Sequence, residues 1–490
     1  MKATRISRLL MDGSSRRPHR VTATLAIVLV TLVLVASSSA VRSPLPVAAR
    51  APSSSESVSG ARGPADASWP AYQGGALQGV LPGRAVFTGA RQEGWHSPAL
   101  DGGVWAAPIL AGGLVIVSTE NDTVYAFPAS GSSRWSPIWT QHLATPIQSS
   151  QLVCGNIGPV SGITSTPVVD TGSDRLYVVA FVQPGRHVLF TLDLQTGRVL
   201  SRQTVDPPGD SPLVEQQRGA LKLANGYVYI PFGGLAGDCG TYHGWVLGAS
   251  TNGAATVTFR PPICANQCAF WAPAGVTIGP DGDVWVASGN SQRDTAPATF
   301  DYSNTVFRLT PDLNLLDWFA PTNWMALTES DHDLGSIVPV LLSHGLVFMA
   351  GKQGVGYLLR QDGLGKIGQG AASAQACPAY AAAVAVADMV YISCWYPNRV
   401  LALHVDAAAP SLTQGWAQPV DLPGGLIFAY GAIWVVASST WSGSLEALDP
   451  GTGAVRFRIA GGAAPHFTTP AAGNGHIYTV LGERLVAVAA

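Results

Sequence analysis

Charge is what this sequence has least of. Asp, Glu, Lys and Arg make up 12% of its 490 residues, about half the usual share, which excludes a solvated coiled coil. The 28 basic and 30 acidic side chains nearly cancel, and the basic ones form no stripe, so nucleic acid is not an expected partner. Cysteine is sparse as well. The six cysteines include no adjacent pair and no C-x-x-C-H run, and none precedes Cys154, so neither attached haem nor a lipidated cysteine near the N-terminus is expected. "CANQC" (Cys264 and Cys268) has no second cysteine pair or nearby histidine to complete a tetrahedral zinc set. No segment requires a helix of any length. In abundance instead are glycine and proline, 55 and 35 residues, the composition of many tight turns.

Between the turns the sequence repeats itself at intervals of about 50 residues, a period that belongs to arrays of similar units. Each copy holds an apolar run, a Gly or Asp turn, a second apolar run ending in aromatics, and a run reading like "A-L-D-x-x-T-G". Copies begin at Ala107, Thr166, Gly219, Ala272, Gly335, Ala379, Gly425 and Thr468. Their β-branched and aromatic runs are of strand length, and turn pairs such as Asn225-Gly226, Asp281-Gly282 and Asn474-Gly475 fold them into hairpins. One such unit cannot bury both its faces. The copies therefore predict an all-β chain, a single eight-bladed β-propeller of four-stranded antiparallel blades. The last copy stops at Ala490 after three recognisable strands. "FTGARQEGWHSPAL", from Phe87 to Leu100, has the character of the missing outer strand and is expected to close the ring on the C-terminal blade.

Arg5, Arg8, Arg16, Arg17 and Arg20 precede an apolar run over 21–36 and small residues ending at Ala40. Residues 1–40 therefore read as a secretory signal peptide cleaved after Ala40, or as a retained signal anchor, since the apolar run approaches spanning length. Residues 41–68, rich in Ala, Ser and Pro, read as a disordered linker, leaving 69–490 to the propeller. The expected location is extracytoplasmic, secreted or tethered to the membrane by the N-terminal segment. Cysteines in an exported chain favour disulfides. Cys264 and Cys268 are near enough for a local staple, Cys377 and Cys394 share one repeat, and Cys154 and Cys239 remain, although other pairings stay open.

Within a blade the first two strands are antiparallel, so the start of the first and the end of the second share one face of the disc. On that rim the third copy places Asp238 ("AGDCG"), the fourth Trp271 and Asn290 ("ASGNSQ"), and the fifth Asp331, Asp333 ("ESDHDLGS") and Lys352 ("AGKQGVGY"). Asp238, Asn290, Asp331 and Asp333 are hard oxygen donors, suited to Ca2+ or a similar cation and not to Zn2+. Trp271 offers a flat face for stacking and Lys352 an ammonium, so the six together suit a planar anionic cofactor beside a metal ion. Taken singly, Asp and Asn after strands commonly make local turn bonds. His243 and His332 read as structural or exposed, and Asp301 and Asn304 as shaping the start of a strand.

The repeats resemble those of the quinoprotein, or PQQ-type, propellers, and the order Asp238, Trp271, Asn290, Asp331, Lys352 is similar to that of the PQQ-dependent alcohol dehydrogenases. The resemblance implies PQQ and a Ca2+ or lanthanide ion as cofactors. It implies Asp238, Asn290, Asp331 and Asp333 around the ion, Trp271 as the floor beneath the quinone, Asp331 as catalytic base, and Lys352 bonded to a quinone oxygen. "DYSNTVFRL", from Asp301 to Leu309, resembles the strand that family places between the Asn and the catalytic Asp. The spacing of Asp331 and Asp333 is similar to that of lanthanide-using members, and "DHDLGS" to polyvinyl-alcohol-dehydrogenase-like propellers. There are departures: Asp238 is shorter than the usual Glu, "GNSQ" replaces "GNG", the Cys-Cys pair is missing, and Gln217 or Arg218 stands where a Thr is expected. The implied substrate is a small alcohol or sugar, with electrons passing to a separate acceptor. Assembly scaffolds of bacterial envelopes share these repeats, so the alternative is a non-catalytic extracytoplasmic propeller that binds an envelope protein.

Overall fold

The computed structural model describes residues 68–83, 87, 95–129, 136–253, 255–292, 299–439 and 441–490. The expected signal (1–40) and all of the expected linker except Ser68 lie outside the described residues.

The apolar runs pair as hairpins and assemble into eight successive sheets, each with four antiparallel strands and two with a short fifth strand added, so the expected all-β propeller is what forms. The first blade is Ile109–Ala111, Leu114–Ser118, Thr123–Pro128 and Trp139–His142. Burial falls from the second strand outward: Leu114–Ser118 is buried along its whole length, whereas Trp139–His142 alternates between half-buried and exposed. Strands covered on both faces by neighbouring blades read as continuous apolar runs, and an outer edge strand alternates. The hairpin turns need a left-handed backbone, which Asn225 (φ 54°) and Gly226 (φ 79°) supply between two strands of the third blade.

The eighth blade takes its outer strand from far upstream. Trp95–His96 lies antiparallel to Arg484–Ala489, Trp95 opposite Ala487 and His96 opposite Val486. Ser97 extends the seam: its N–H donates to Leu485 O at 2.9 Å and its Oγ accepts from Leu485 N at 3.0 Å. The pairing covers an edge that the C-terminal blade would otherwise leave open.

Two features depart from the sequence expectation. The first is a helix, Trp324–Glu329, where none was expected. Its sequence, WMALTE, consists largely of good helix formers, but at six residues it is too short to display a helical period. The second is the channel. Residues 69–81 run through the middle of the ring and bond to one inner strand after another. Trp69 and Leu110 exchange two backbone bonds of 2.8 Å, and Val169 N donates to Pro70 O at 2.8 Å. Gln73 Nε2 donates to Ala383 O and Leu426 O, and Phe428 N donates to Gly79 O. Inner strands expose unpaired backbone groups toward the axis, and this segment satisfies them. Tyr72 is the stopper. Its ring is buried against Ala107, Ala220, Ala272, Ala274, Val338 and Ala382, and its hydroxyl meets Thr469 Oγ1 at 2.8 Å.

Candidate functional site

Blade geometry brings the six rim residues to one face. Asp238 follows the strand Tyr227–Gly234, Asn290 follows Val284–Ala287, and Lys352 follows Leu346–Ala350. Asp331 (φ 56°) and Asp333 follow the short helix and precede the fifth blade's first strand.

Asp333 is the hub. Its Oδ1 accepts the Asn290 backbone N–H at 2.7 Å, its Oδ2 meets Lys352 Nζ at 2.6 Å, and its carbonyl accepts the Lys352 backbone N–H at 2.9 Å. Glycine makes the approach possible, because a Cβ on Gly289 would lie 2.5 Å from Asp333 Oδ1. Lys352 also reaches Asp331 Oδ1 at 3.4 Å and sits 5.3 Å from the centre of the Trp271 ring. Desolvation works against the Lys352 charge, but the Asp333 and Asp331 carboxylates outweigh it and hold the ammonium above its ordinary pKa.

Asn290 is oriented by a chain of bonds. The Leu334 N–H donates to Asn304 Oδ1 at 2.8 Å, which leaves Asn304 Nδ2 to donate to Asn290 Oδ1 at 3.0 Å. Asn290 therefore presents its N–H, not its carbonyl, to Asp331 Oδ1, also at 3.0 Å. Asn304 is thus part of the site, which its place at the start of a strand did not disclose. Asp238 stands at the solvent edge and accepts the Tyr242 hydroxyl at 2.6 Å. Desolvation raises its pKa above the ordinary carboxylate value against that hydroxyl, and the Asp333 and Asp331 charges add to the rise. His243 bonds Asp210 and Ala265 O, and His332 bonds Ser330, as local structural contacts.

As arranged, these groups do not fit a shared ion. Both Asp333 oxygens are engaged, the ammonium of Lys352 stands between Asp333 and Asp331, and the Asn290 carbonyl is turned to Asn304. A hard cation needs oxygen lone pairs pointing at one centre. Among the described residues, the group of three or more His, Cys, Asp or Glu side chains with ligand atoms all within 4.8 Å of one another is Cys264, Cys268 and Asp301. Those two cysteines are bonded to each other.

The middle of the same face is aromatic. Trp395, Tyr380 and Phe467 form a cluster of near-parallel rings, Trp395 lying 4.4 Å from Tyr380 and 5.2 Å from Phe467, while Phe467 lies 6.1 Å from Trp271 and Trp105 meets His466 edge-on at 4.8 Å. The Arg218 guanidinium rests over Phe467 at 4.6 Å and over Trp105 at 5.1 Å. Burial brings Arg218 down to about 10, opposed by Glu120 and Tyr72, and burial with the Arg218 charge pushes His466 down to about 3, so that ring is neutral. Glu120, in the first blade, bonds the Gly162 N–H at 2.7 Å and Thr164 Oγ1 at 3.1 Å. Burial raises it to about 7, and burial plus the Glu120 charge raises Asp122 to about 9.

All three disulfides lie on this face: Cys154–Cys239 joins two loops, Cys264–Cys268 closes one, and Cys377–Cys394 ties a loop to the end of the strand Met389–Cys394. The four most exposed large apolar side chains among the described residues lie on it too. Val153 (67%) is in the loop between blades one and two, Ile263 (73%) precedes blade four, and Tyr396 (74%) and Trp441 (90%) follow the second strands of blades six and seven.

Residues 91–232 match the PQQ-repeat family model described as outer membrane protein assembly factor BamB. Among curated proteins none matches significantly. Among solved structures, the quinohemoprotein alcohol dehydrogenase of Comamonas testosteroni aligns at TM-score 0.61 and 15% identity, over 84% of this chain and 76% of that one. A europium-containing methanol dehydrogenase aligns at 0.59 and 15%, over 83% and 87%. BamB of Moraxella catarrhalis aligns at 0.54 and 14%, over 81% and 98%. The likeness to these three is one of fold, and the fold hosts both dehydrogenases and BamB. Residues 91–232 thus match a PQQ-type repeat model, and they lie within an eight-bladed β-propeller.

Proposed function

We propose that this chain is an extracytoplasmic binding propeller whose disulfide-stapled loop face docks a protein of the cell envelope. The observation that carries the reading is the segregation of Val153, Ile263, Tyr396 and Trp441 to one face. A single exposed apolar side chain is ordinary. Four on the loops of one face, three of them within two residues of a disulfide-bonded cysteine, around an aromatic mouth, suit a surface that another protein covers. Disulfides persist in oxidising compartments, which agrees with export. Photocrosslinkers placed at positions 441 and 396 in intact cells test it, with position 138 on the opposite face as control. Discrete adducts from 441 and 396, absent from 138, are expected. Equal or no adducts from all three positions would remove the proposal.

A second reading, oxidation of a small alcohol or sugar with PQQ and Ca2+ or a lanthanide, is favoured by one observation. Lys352 lies over the Trp271 ring at 5.3 Å, which pairs a stacking face with an ammonium. In that reading Asp331, half exposed, is the base that takes the substrate hydroxyl proton, Lys352 steadies the developing negative oxygen, and Asp238, Asn290 and Asp333 must turn outward to reach an ion.

A further inference from the structure

The channel has a second recess at the end opposite the loop face. Its volume is about 670 Å3, within the roughly 300–1,000 Å3 of small-molecule sites. Plug residues 70–78 form one wall, and inner strands of blades two to six form the other, with Val168, Val276 and Leu341 among the apolar lining. Of the described lining residues only Lys222 is charged. Nearby polar side chains are committed: Gln73 Nε2 donates to Ala383 O and Leu426 O, and Gln78 Oε1 accepts the Leu341 N–H. Lys222 is not. It is 8% exposed, and its ammonium donates to Tyr72 O at 3.2 Å. An ammonium has three protons to give, and a buried charge without a counter-charge is costly to the fold.

We propose that this recess binds a small organic acid, its carboxylate on the Lys222 ammonium and its apolar body along Val168, Val276 and Leu341. One ammonium, with no arginine fork among the described lining residues, matches a monoanion better than a phosphate ester. Burial pushes Lys222 down to about 8. A bound carboxylate holds the proton on, and affinity falls as pH rises through that value.

Calorimetric titration of the full-length chain with decanoate at pH 7, with decan-1-ol as the neutral comparison, tests the site. Lys222→Met removes the charge. Ala224→Trp narrows the recess and leaves Lys222 in place, because Ala224 lies two residues along the same strand and shares its face. Wild type is expected to bind decanoate saturably and at least tenfold more tightly than the alcohol, and each variant to lose at least tenfold. Absence of saturable binding to wild type, equal affinity for the alcohol, or undiminished affinity in folded Lys222→Met or Ala224→Trp protein would each overturn the proposal. Neither variant touches the loop face, so failure here leaves the docking proposal standing.

Discussion

Lys352 is fastened to Asp333 twice, by an ion pair of 2.6 Å between side chains and by a backbone hydrogen bond of 2.9 Å. The rim network is therefore closed by its own lysine. Removing one partner of a largely buried pair strands the other charge. Lys352→Met is expected to cost about 2–4 kcal/mol, whereas Asp331→Asn, at the half-exposed and longer contact, costs under about 1 kcal/mol. Urea unfolding of Lys352→Met, Asp333→Asn and the double variant measures the coupling. Additive losses would show that the pair contributes nothing.

The buried acids of the first blade set a pH dependence. Glu120 and Asp122 titrate in the fold at about 7 and about 9, well above unfolded values near 4. Between those limits the folded state holds more protons than the unfolded one. Stability is therefore full below about pH 4 and is lost as pH rises through the folded values. The melting temperature is expected to fall between pH 5 and 9, and Asp122→Asn to flatten that fall. A profile unchanged by the substitution would contradict the assignment.

Tyr72 closes the channel by packing more than by its hydrogen bond. Tyr72→Phe, which loses only the Thr469 contact, is expected to cost about 1 kcal/mol. Tyr72→Ala, which leaves a hole among the alanines around it, is expected to cost about 3–5 kcal/mol. Similar losses from both substitutions, read by chemical unfolding, would mean that the ring is not the stopper.

The disulfides differ in the chain they close. Cys154 and Cys239 are 85 residues apart and Cys264 and Cys268 four. Loop-closure entropy makes the first worth about 4 kcal/mol or more and the second markedly less. Paired Cys→Ser variants should lower the melting temperature in that order, and the reverse order would show that the fold holds Cys154 and Cys239 together without the bond.

Much of this was legible in the sequence. Repeat spacing and Asn-Gly turns dictated the blades, and antiparallel order alone put Asp238, Asn290, Asp331, Asp333 and Lys352 on one rim. What escaped was anything without a period. Residues 69–81 form no repeat unit, and their role as a plug depends on backbone bonds to blades hundreds of residues away, as from Gln73 to Leu426. Asn304 looked like a strand-start residue because its partners, Asn290 and Leu334, come from two different loops. The helix Trp324–Glu329, which delivers Asp331, is too short to announce itself. Residue type predicted a metal shell, but type does not say which way an amide turns.

The most direct measurement is cofactor retention. Full-length protein is mixed with PQQ and either Ca2+ or Eu3+, passed through gel filtration, and read for quinone absorption. With Lys352 closing the rim on Asp333 and Asp331, no band is expected to travel with the protein. A stoichiometric band that vanishes in Asp331→Ala, accompanied by dye-linked alcohol oxidation, would contradict the binding-propeller account and establish the second reading.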